Sequence, residues 1–248
     1  MDKYGLIGYP LGHSFSKNFF NQKFEDEGVD AVYENFEIPS VEVMQEVVDK
    51  NPNLRGLNVT IPYKQKVIPL LDSITPEAQA IGAVNVIKVM KIKKKTLLKG
   101  YNSDVIGFTK SIEPMLEKFH KKALILGTGG ASKAIDYGLR SLGLETVFVS
   151  RFKRDNTIQY ADITPEVVNE YNVIINCTPC GMYPHADECP MLPYEAMNEH
   201  TILYDLIYNP DQTLFMKKGA EYGANTKNGL EMLLLQAFER WDIWNDEM

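Results

Sequence analysis

Cysteine is scarce: the 248 residues hold three, an odd number, which excludes a small scaffold stapled by a dense disulfide framework. Histidine is thin too. His13, His120, His185 and His200 are scattered along the chain, so no clustered imidazole set points to a metal centre, and each reads as structural or exposed. No apolar run approaches the ~20 residues of a membrane-spanning helix. The opening MDKYGLIGYP carries acidic and polar residues where a secretory signal needs an apolar core. A cytoplasmic location with no membrane partner is therefore expected. Excess positive charge is also absent. The formal net charge is -7, which argues against nucleic acid or an anionic surface as partner. With 44% hydrophobic and 24% charged residues, the chain can build one large core or two ordinary ones. A monomer or a homodimer is expected.

Two local patterns invite special roles. Cys177, Cys180, His185 and Cys189 are spaced like ligands of a small zinc site. Cys177, however, ends the apolar run VIINC, and Pro179 and Gly181 belong to a different motif, so no metal is expected. The basic stretch KVMKIKKKTLLKG, residues 88 to 100, reads as a solvated hairpin between two short strands rather than a nucleic-acid patch, given the acidic whole.

Apolar runs alternate with helical patterns almost throughout. KYGLIG, VYENFEI, GLNVTI, GAVNVIKV, KALILG, ETVFVS, VIINC and TILYDLI read as strands, and SKNFFNQKFEDEG and ASKAIDYGLRSLG as helices. The alternation implies an α/β protein with mostly parallel sheets covered by helices.

The second half opens with KKALILGTGGASKA. A buried strand ends at Leu126, Gly127, Gly129 and Gly130 follow, and a helix starts near Ala131. Glycines there let the backbone turn sharply and come close to a pyrophosphate, which the amides and positive dipole end of the helix then hold. Ser132 stands where G-x-G-x-x-G has its third glycine, so the context of strand, turn and helix carries the assignment to a Rossmann-type dinucleotide-binding unit. The next strand ends in Ser150-Arg151-Phe152-Lys153-Arg154, where NAD enzymes usually place Asp or Glu for the ribose hydroxyls. A cationic cluster at that point favours the extra phosphate of NADP. The nucleotide unit thus begins near residue 102, giving expected domains over 1–101 and 102–228. The segment 229–248 forms a C-terminal helix whose stripe Leu230, Leu233, Leu234, Ala237 and Trp241 packs back on the first domain.

A bound nicotinamide implies hydride transfer, and an alcohol that gives up hydride must also lose a proton. Lys64 is a candidate acid/base, because it lies just past the carboxyl end of the strand in NVTIPYK, where open α/β sheets place ligands. Asp104 in GYNSDVIG follows a strand and opens the nucleotide unit, which suits a partner for Lys64 but equally suits a helix N-cap.

At this point the chain resembles the shikimate dehydrogenase family over nearly its whole length. The ordered motifs are YGLIGYPLGHSFS, NVTIPYK, GAVNV, GYNSDVIG, GTGGAS with SR, and NCTPCGM, followed by DLIYNP and NGLEMLLLQA. The resemblance implies reduction of 3-dehydroshikimate to shikimate with NADPH, in aromatic amino-acid biosynthesis. It makes Lys64 the catalytic lysine and Asp104 its partner. Ser14 and Ser16 match hydroxyls that bind the substrate carboxylate, and Thr60, Asn85 and Asp104 the set for the ring hydroxyls. Tyr208 and Gln236 match residues that close over the substrate. Gly127, Thr128, Gly129, Gly130 and Ala131 match the pyrophosphate loop, and Ser150, Arg151 and Arg154 the adenosine-phosphate site. Thr178, Leu206 and Gly229 match positions near the nicotinamide.

The chain departs from the family pattern at Lys17, where proline is usual, at Val86 and Ser103, where threonine is usual, and at Ser150 in place of asparagine. Asn58 reads equally as a ligand or as a strand-end hydrogen bonder. Beside this reading stand a quinate/shikimate dehydrogenase with relaxed cofactor use and a catalytically silent NADP-binding relative. Retention of Lys64 and Asp104 weighs against the second, since a sensor needs no proton donor.

Overall fold

The computed structural model describes residues 1–12, 15–93 and 95–246. The chain divides into two compact units, one formed by Met1–Ser103 with Ala237–Met248 and the other by Asp104–Gln236.

The first unit runs β1 (Asp2–Gly8), α1 (Phe15–Glu27), β2 (Ala31–Glu37), α2 (Met44–Lys50), β3 (Leu54–Val59), β4 (Ser73–Ile74), α3 (Pro76–Ile81), β5 (Val86–Ile92) and β6 (Lys95–Tyr101). Its sheet has the order β2-β1-β3-β5-β6-β4. β1 pairs parallel with β2 and β3, connections for which α1 and α2 supply the crossovers. β5 runs antiparallel to both β3 and β6, while β4 pairs parallel with β6, so this sheet is mixed, with three of its five neighbouring pairs parallel. The cause is the basic segment: β5 and β6 are joined by a tight hairpin, and a hairpin can only make an antiparallel pair. Lys88 in that hairpin is not solvated as expected. It is buried, its ammonium donates to the Asp246 carbonyl, and burial pushes its pKa down.

β3 is two residues shorter than its apolar alternation suggests. The Thr60 amide still reaches the Ile7 carbonyl at 3.0 Å, but the Tyr63 amide then closes a turn onto the Thr60 carbonyl at 2.9 Å. Ile61 is left exposed at that turn.

The second unit comprises α4 (Asp104–Ile112), β7 (Lys122–Leu126), α5 (Gly130–Ser141), β8 (Glu145–Ser150), β9 (Thr157–Gln159), α6 (Pro165–Glu170), β10 (Val173–Asn176), β11 (Ile202–Asp205), α7 (Leu214–Glu221), β12 (Asn225–Lys227) and the start of α8 (Leu230–Asn245). Its strands lie in the order β12-β11-β10-β7-β8-β9, every neighbouring pair parallel. In β7, Ala123 and Ile125 join one apolar cluster while Leu124 and Leu126 join another. A strand buried on both faces reads as one continuous apolar run, as KALIL does. This is the doubly wound arrangement expected from the glycine motif.

α8 differs from expectation. Its buried side chains are Met232, Gln236, Arg240 and Trp244, a row at four-residue spacing, with Ala237 beside it, whereas Leu230 is exposed. Of the stripe read from the sequence, Ala237 is buried and Trp241 packs on Tyr4 and Phe24, but the row itself was not anticipated, because two of its members are polar. In the first unit Trp244 packs on Tyr4 and Phe20, and its indole donates to the Ile87 carbonyl at 3.1 Å. Gly56 makes room for that ring: a Cβ there would lie 2.2 Å from Trp244 Nε1. Among the described residues, no helix is long and apolar enough to cross a membrane.

Candidate active site

Register builds the second unit's site. Leu126, Asn176 and Asp205 are paired across β7, β10 and β11, so Gly127, Cys177 and Leu206 leave the sheet together at its carboxyl edge. β8 and β9 lie to one side of β7, and β10 and β11 to the other. The chain therefore reverses direction at the β7/β10 boundary, where a crevice opens in such sheets.

A cavity of about 890 Å³ occupies this place, with Gly127, Gly129, Ser150, Arg151, Arg154 and Thr178 in its wall. Gly127 has φ +102, a conformation that side chains rarely adopt, and a Cβ there would also press on the Thr178 methyl at 3.0 Å. At Gly129 and Gly130 the space that a Cβ would fill is open, which leaves the turn and the first amides of α5 approachable by a phosphate. Arg154 Nη1 donates to Thr128 Oγ1 at 3.2 Å and so draws the basic loop against the glycine turn. Ser150 accepts from the Phe152 amide at 3.2 Å, which shapes the same loop. Arg151 and Arg154 are exposed. Glu145, the nearest acidic residue in β8, lies at the opposite end of the strand beside Lys122. The cleft thus offers backbone amides and two guanidinium groups and fits a dinucleotide carrying an additional phosphate.

The floor of the cleft rests on a buried polar network that sequence reasoning missed. Asn176 Oδ1 accepts from the Thr178 amide at 3.1 Å and hydroxyl at 2.6 Å, and Asn176 Nδ2 donates to Asp205 Oδ1 at 3.1 Å. Asp205 also accepts from the Ile207 amide at 3.0 Å and from the Thr213 hydroxyl at 2.7 Å. Asp205 is 0% exposed. Burial pushes its pKa up to about 6 against the opposing pull of these hydrogen bonds. The network ties Thr178 to the segment bearing Tyr208. Its only sequence signal was a polar residue ending each of two apolar strands. Gly229 belongs here as well, because a Cβ on it would meet the Leu206 carbonyl oxygen at 2.1 Å.

Cys177 and Cys180 stand in the cleft wall as thiols whose pKa burial raises. Among the described residues, no group of three or more His, Cys, Asp and Glu side chains could hold a metal ion. His120 is buried and structural, accepting from the Glu117 amide at 2.8 Å. His185 and His200 are exposed, and His13 lies outside the described residues.

The first unit gathers a second polar cluster. The Ser103 amide donates to Asn85 Oδ1 at 2.8 Å, and Asn85 Nδ2 donates to Ser103 Oγ at 3.1 Å. The fully buried Tyr33 donates its hydroxyl to Asn58 Oδ1 at 2.7 Å, so Asn58 has the strand-end hydrogen bond that was one of its two readings. Ser16 and Thr60 are half-buried. Ser14 lies outside the described residues. Lys64 is half-buried in this unit, its carbonyl accepting from the Val84 amide at 2.7 Å. Asp104 is buried at the first position of α4, in the second unit. Gln236 is buried on α8, and Gly107 lets α4 approach it, a Cβ there falling 3.0 Å from Gln236 Cβ. Tyr208 is exposed.

Residues 6–87 match the shikimate dehydrogenase substrate binding domain. The NADP(+) shikimate dehydrogenase of Carboxydothermus hydrogenoformans is 37% identical, over 96% of this chain and 90% of the relative. The crystal structure of shikimate 5-dehydrogenase from Thermus thermophilus in complex with NADP(H) and shikimate has a TM-score of 0.85 at 28% identity, covering 100% of this chain and 95% of that one. The Listeria monocytogenes enzyme in complex with shikimate and NAD gives 0.87 at 28% identity, covering 99% and 92%. The chain belongs to the shikimate dehydrogenase family.

Proposed function

We propose that the protein is an NADP-dependent shikimate dehydrogenase that reversibly reduces 3-dehydroshikimate to shikimate. The observation that carries this reading is the glycine turn with Arg151 and Arg154 around one cleft, in a chain 37% identical to an NADP(+) shikimate dehydrogenase over nearly all its length. Gly127 to Ala131 and the start of α5 hold the pyrophosphate. Arg151 and Arg154 take the 2′-phosphate, and Thr178, Leu206 and Gly229 flank the nicotinamide, which supplies or accepts the hydride.

The chain's own residues do the remaining work. A small anionic polyol calls for short hydroxyls and amides rather than apolar walls. Ser14 and Ser16 take the carboxylate, Thr60, Asn85 and Asp104 the ring hydroxyls, and Gln236 and Tyr208 cover the substrate. In the reducing direction the Lys64 ammonium donates a proton to the oxygen that becomes the alcohol, and Asp104 orients it. In the oxidising direction the same group takes the proton back. Asn85 has a second duty, since its amide also fixes Ser103, the residue before Asp104.

Absorbance of reduced nicotinamide in four reactions, shikimate or quinate with NADP or NAD, tests the reading. Shikimate with NADP should turn over fastest. Silence in all four reactions ends the proposal, and equal rates with NAD or quinate would favour the relaxed quinate/shikimate enzyme.

A further inference from the structure

Asn176 closes β10 and is 0% exposed. Its Oδ1 accepts from the Thr178 amide at 3.1 Å and from the Thr178 hydroxyl at 2.6 Å. Its Nδ2 donates to the Cys180 carbonyl at 3.2 Å and to Asp205 Oδ1 at 3.1 Å. These partners settle which end of the carboxamide is which, because a backbone N–H can only donate and a backbone carbonyl can only accept. The Thr178 hydroxyl has one proton, and Asn176 Oδ1 takes it. The same hydroxyl oxygen accepts from the Cys180 amide at 3.2 Å. What Thr178 retains for a ligand is therefore a lone pair, not a proton. Thr178 lines the cleft, with its methyl beside Gly127 of the glycine turn.

We propose that Asn176 is a positioning residue that makes the Thr178 hydroxyl an acceptor, and that this acceptor recognises the N–H of the nicotinamide carboxamide. This rests on the reading of the cleft as an NADP site with Thr178 beside the nicotinamide. The carboxamide carries a carbonyl, which accepts, and an NH2, which donates. A hydroxyl whose proton is committed can meet only the NH2. A site built to bond an NH group disfavours an analogue that lacks it, because the acceptor is then left unpaired. The rival role is mechanical: Asn176 staples the turn from Cys177 to Cys180 onto β11, and Thr178 reads nothing.

A cofactor analogue separates the two roles. In 3-acetylpyridine NADP a methyl group replaces the NH2, while the carbonyl stays. Isothermal titration calorimetry measures Kd for NADP and for this analogue in wild type, Thr178→Ser, Thr178→Val and Asn176→Ala, with circular dichroism to confirm folding. Wild type should bind NADP about 5- to 10-fold more tightly than the analogue. Thr178→Ser should keep that preference. Thr178→Val should weaken NADP by about the same factor, leave the analogue nearly unchanged, and so erase the preference. Asn176→Ala releases the hydroxyl proton, which can then turn to the carbonyl that both ligands share, so the preference should shrink to about twofold or less. Folded Thr178→Val or Asn176→Ala protein that keeps the wild-type preference would overturn the inference. If Asn176→Ala does not fold, Thr178→Val decides alone, because a hydroxyl that donated its proton would lose both ligands equally and leave the preference intact. Wild-type protein that binds neither ligand overturns the NADP reading and this inference with it, while wild-type protein that binds both equally overturns this inference only.

Discussion

Replacing Asp205 by asparagine separates the charge of the buried network from its hydrogen bonds. The carboxyl is lifted from its ordinary 3.8 to about 6. Across that window the folded chain holds a proton that the unfolded chain has already lost. Stability contributed by this group is therefore full at low pH and falls as pH rises from about 4 to about 6, by about 3 kcal/mol in all. Between about pH 5 and about pH 7.5 the part still to be lost is about 1.4 kcal/mol. The amide of Asp205→Asn does not titrate. Other ionisable groups act alike in both chains, so the gap between their unfolding free energies isolates this carboxyl. Altered bonds to Thr213, Asn176 and Ile207 shift that gap by a constant, and only the proton gives it a slope. Urea unfolding followed by circular dichroism at the two pH values measures it. The gap should move by about 1.4 kcal/mol in favour of the variant at the higher pH. Parallel pH dependences for the two chains, or movement in the opposite sense, would refute the claim that desolvation outweighs three hydrogen bonds at Asp205.

Arg151→Ala should raise KM for NADP by about tenfold or more and change KM for NAD by about twofold at most, because only NADP carries the phosphate that a guanidinium pairs; steady-state kinetics with both cofactors checks this. Gly56→Ala would set a methyl group 2.2 Å from Trp244 Nε1, so the indole must leave its bond to Ile87. Overpacking of this kind should cost about 1–3 kcal/mol in denaturant unfolding, with a change in tryptophan emission that Arg151→Ala does not produce.

Local devices were legible in the sequence, and distant ones were not. The turn at Gly127 could be read because strand, glycines and helix follow one another within a few residues. The Asp205–Asn176 pair could not, because its partners lie 29 residues apart and meet only through the register of β10 with β11. The same limit hid Arg240, which reaches Ser16 across 224 residues. Hydrophobic periodicity found only part of the inner face of α8, Ala237 and Trp241, since the buried Gln236 and Arg240 are polar and break the pattern that marks a core. The mixed order of the first sheet follows from the hairpin at residues 88 to 100, which was anticipated, although its burial of Lys88 was not. β3 stops at Val59 because the turn that closes on Thr60 overrides an alternation continuing to Ile61.

The most direct test of the account is the turnover of Lys64→Ala with shikimate and NADP. If the ammonium is the proton donor and acceptor, kcat should fall by about 10²-fold or more, KM for shikimate should change far less, and NADP affinity should be retained. Wild-type turnover in a folded Lys64→Ala protein would contradict the account.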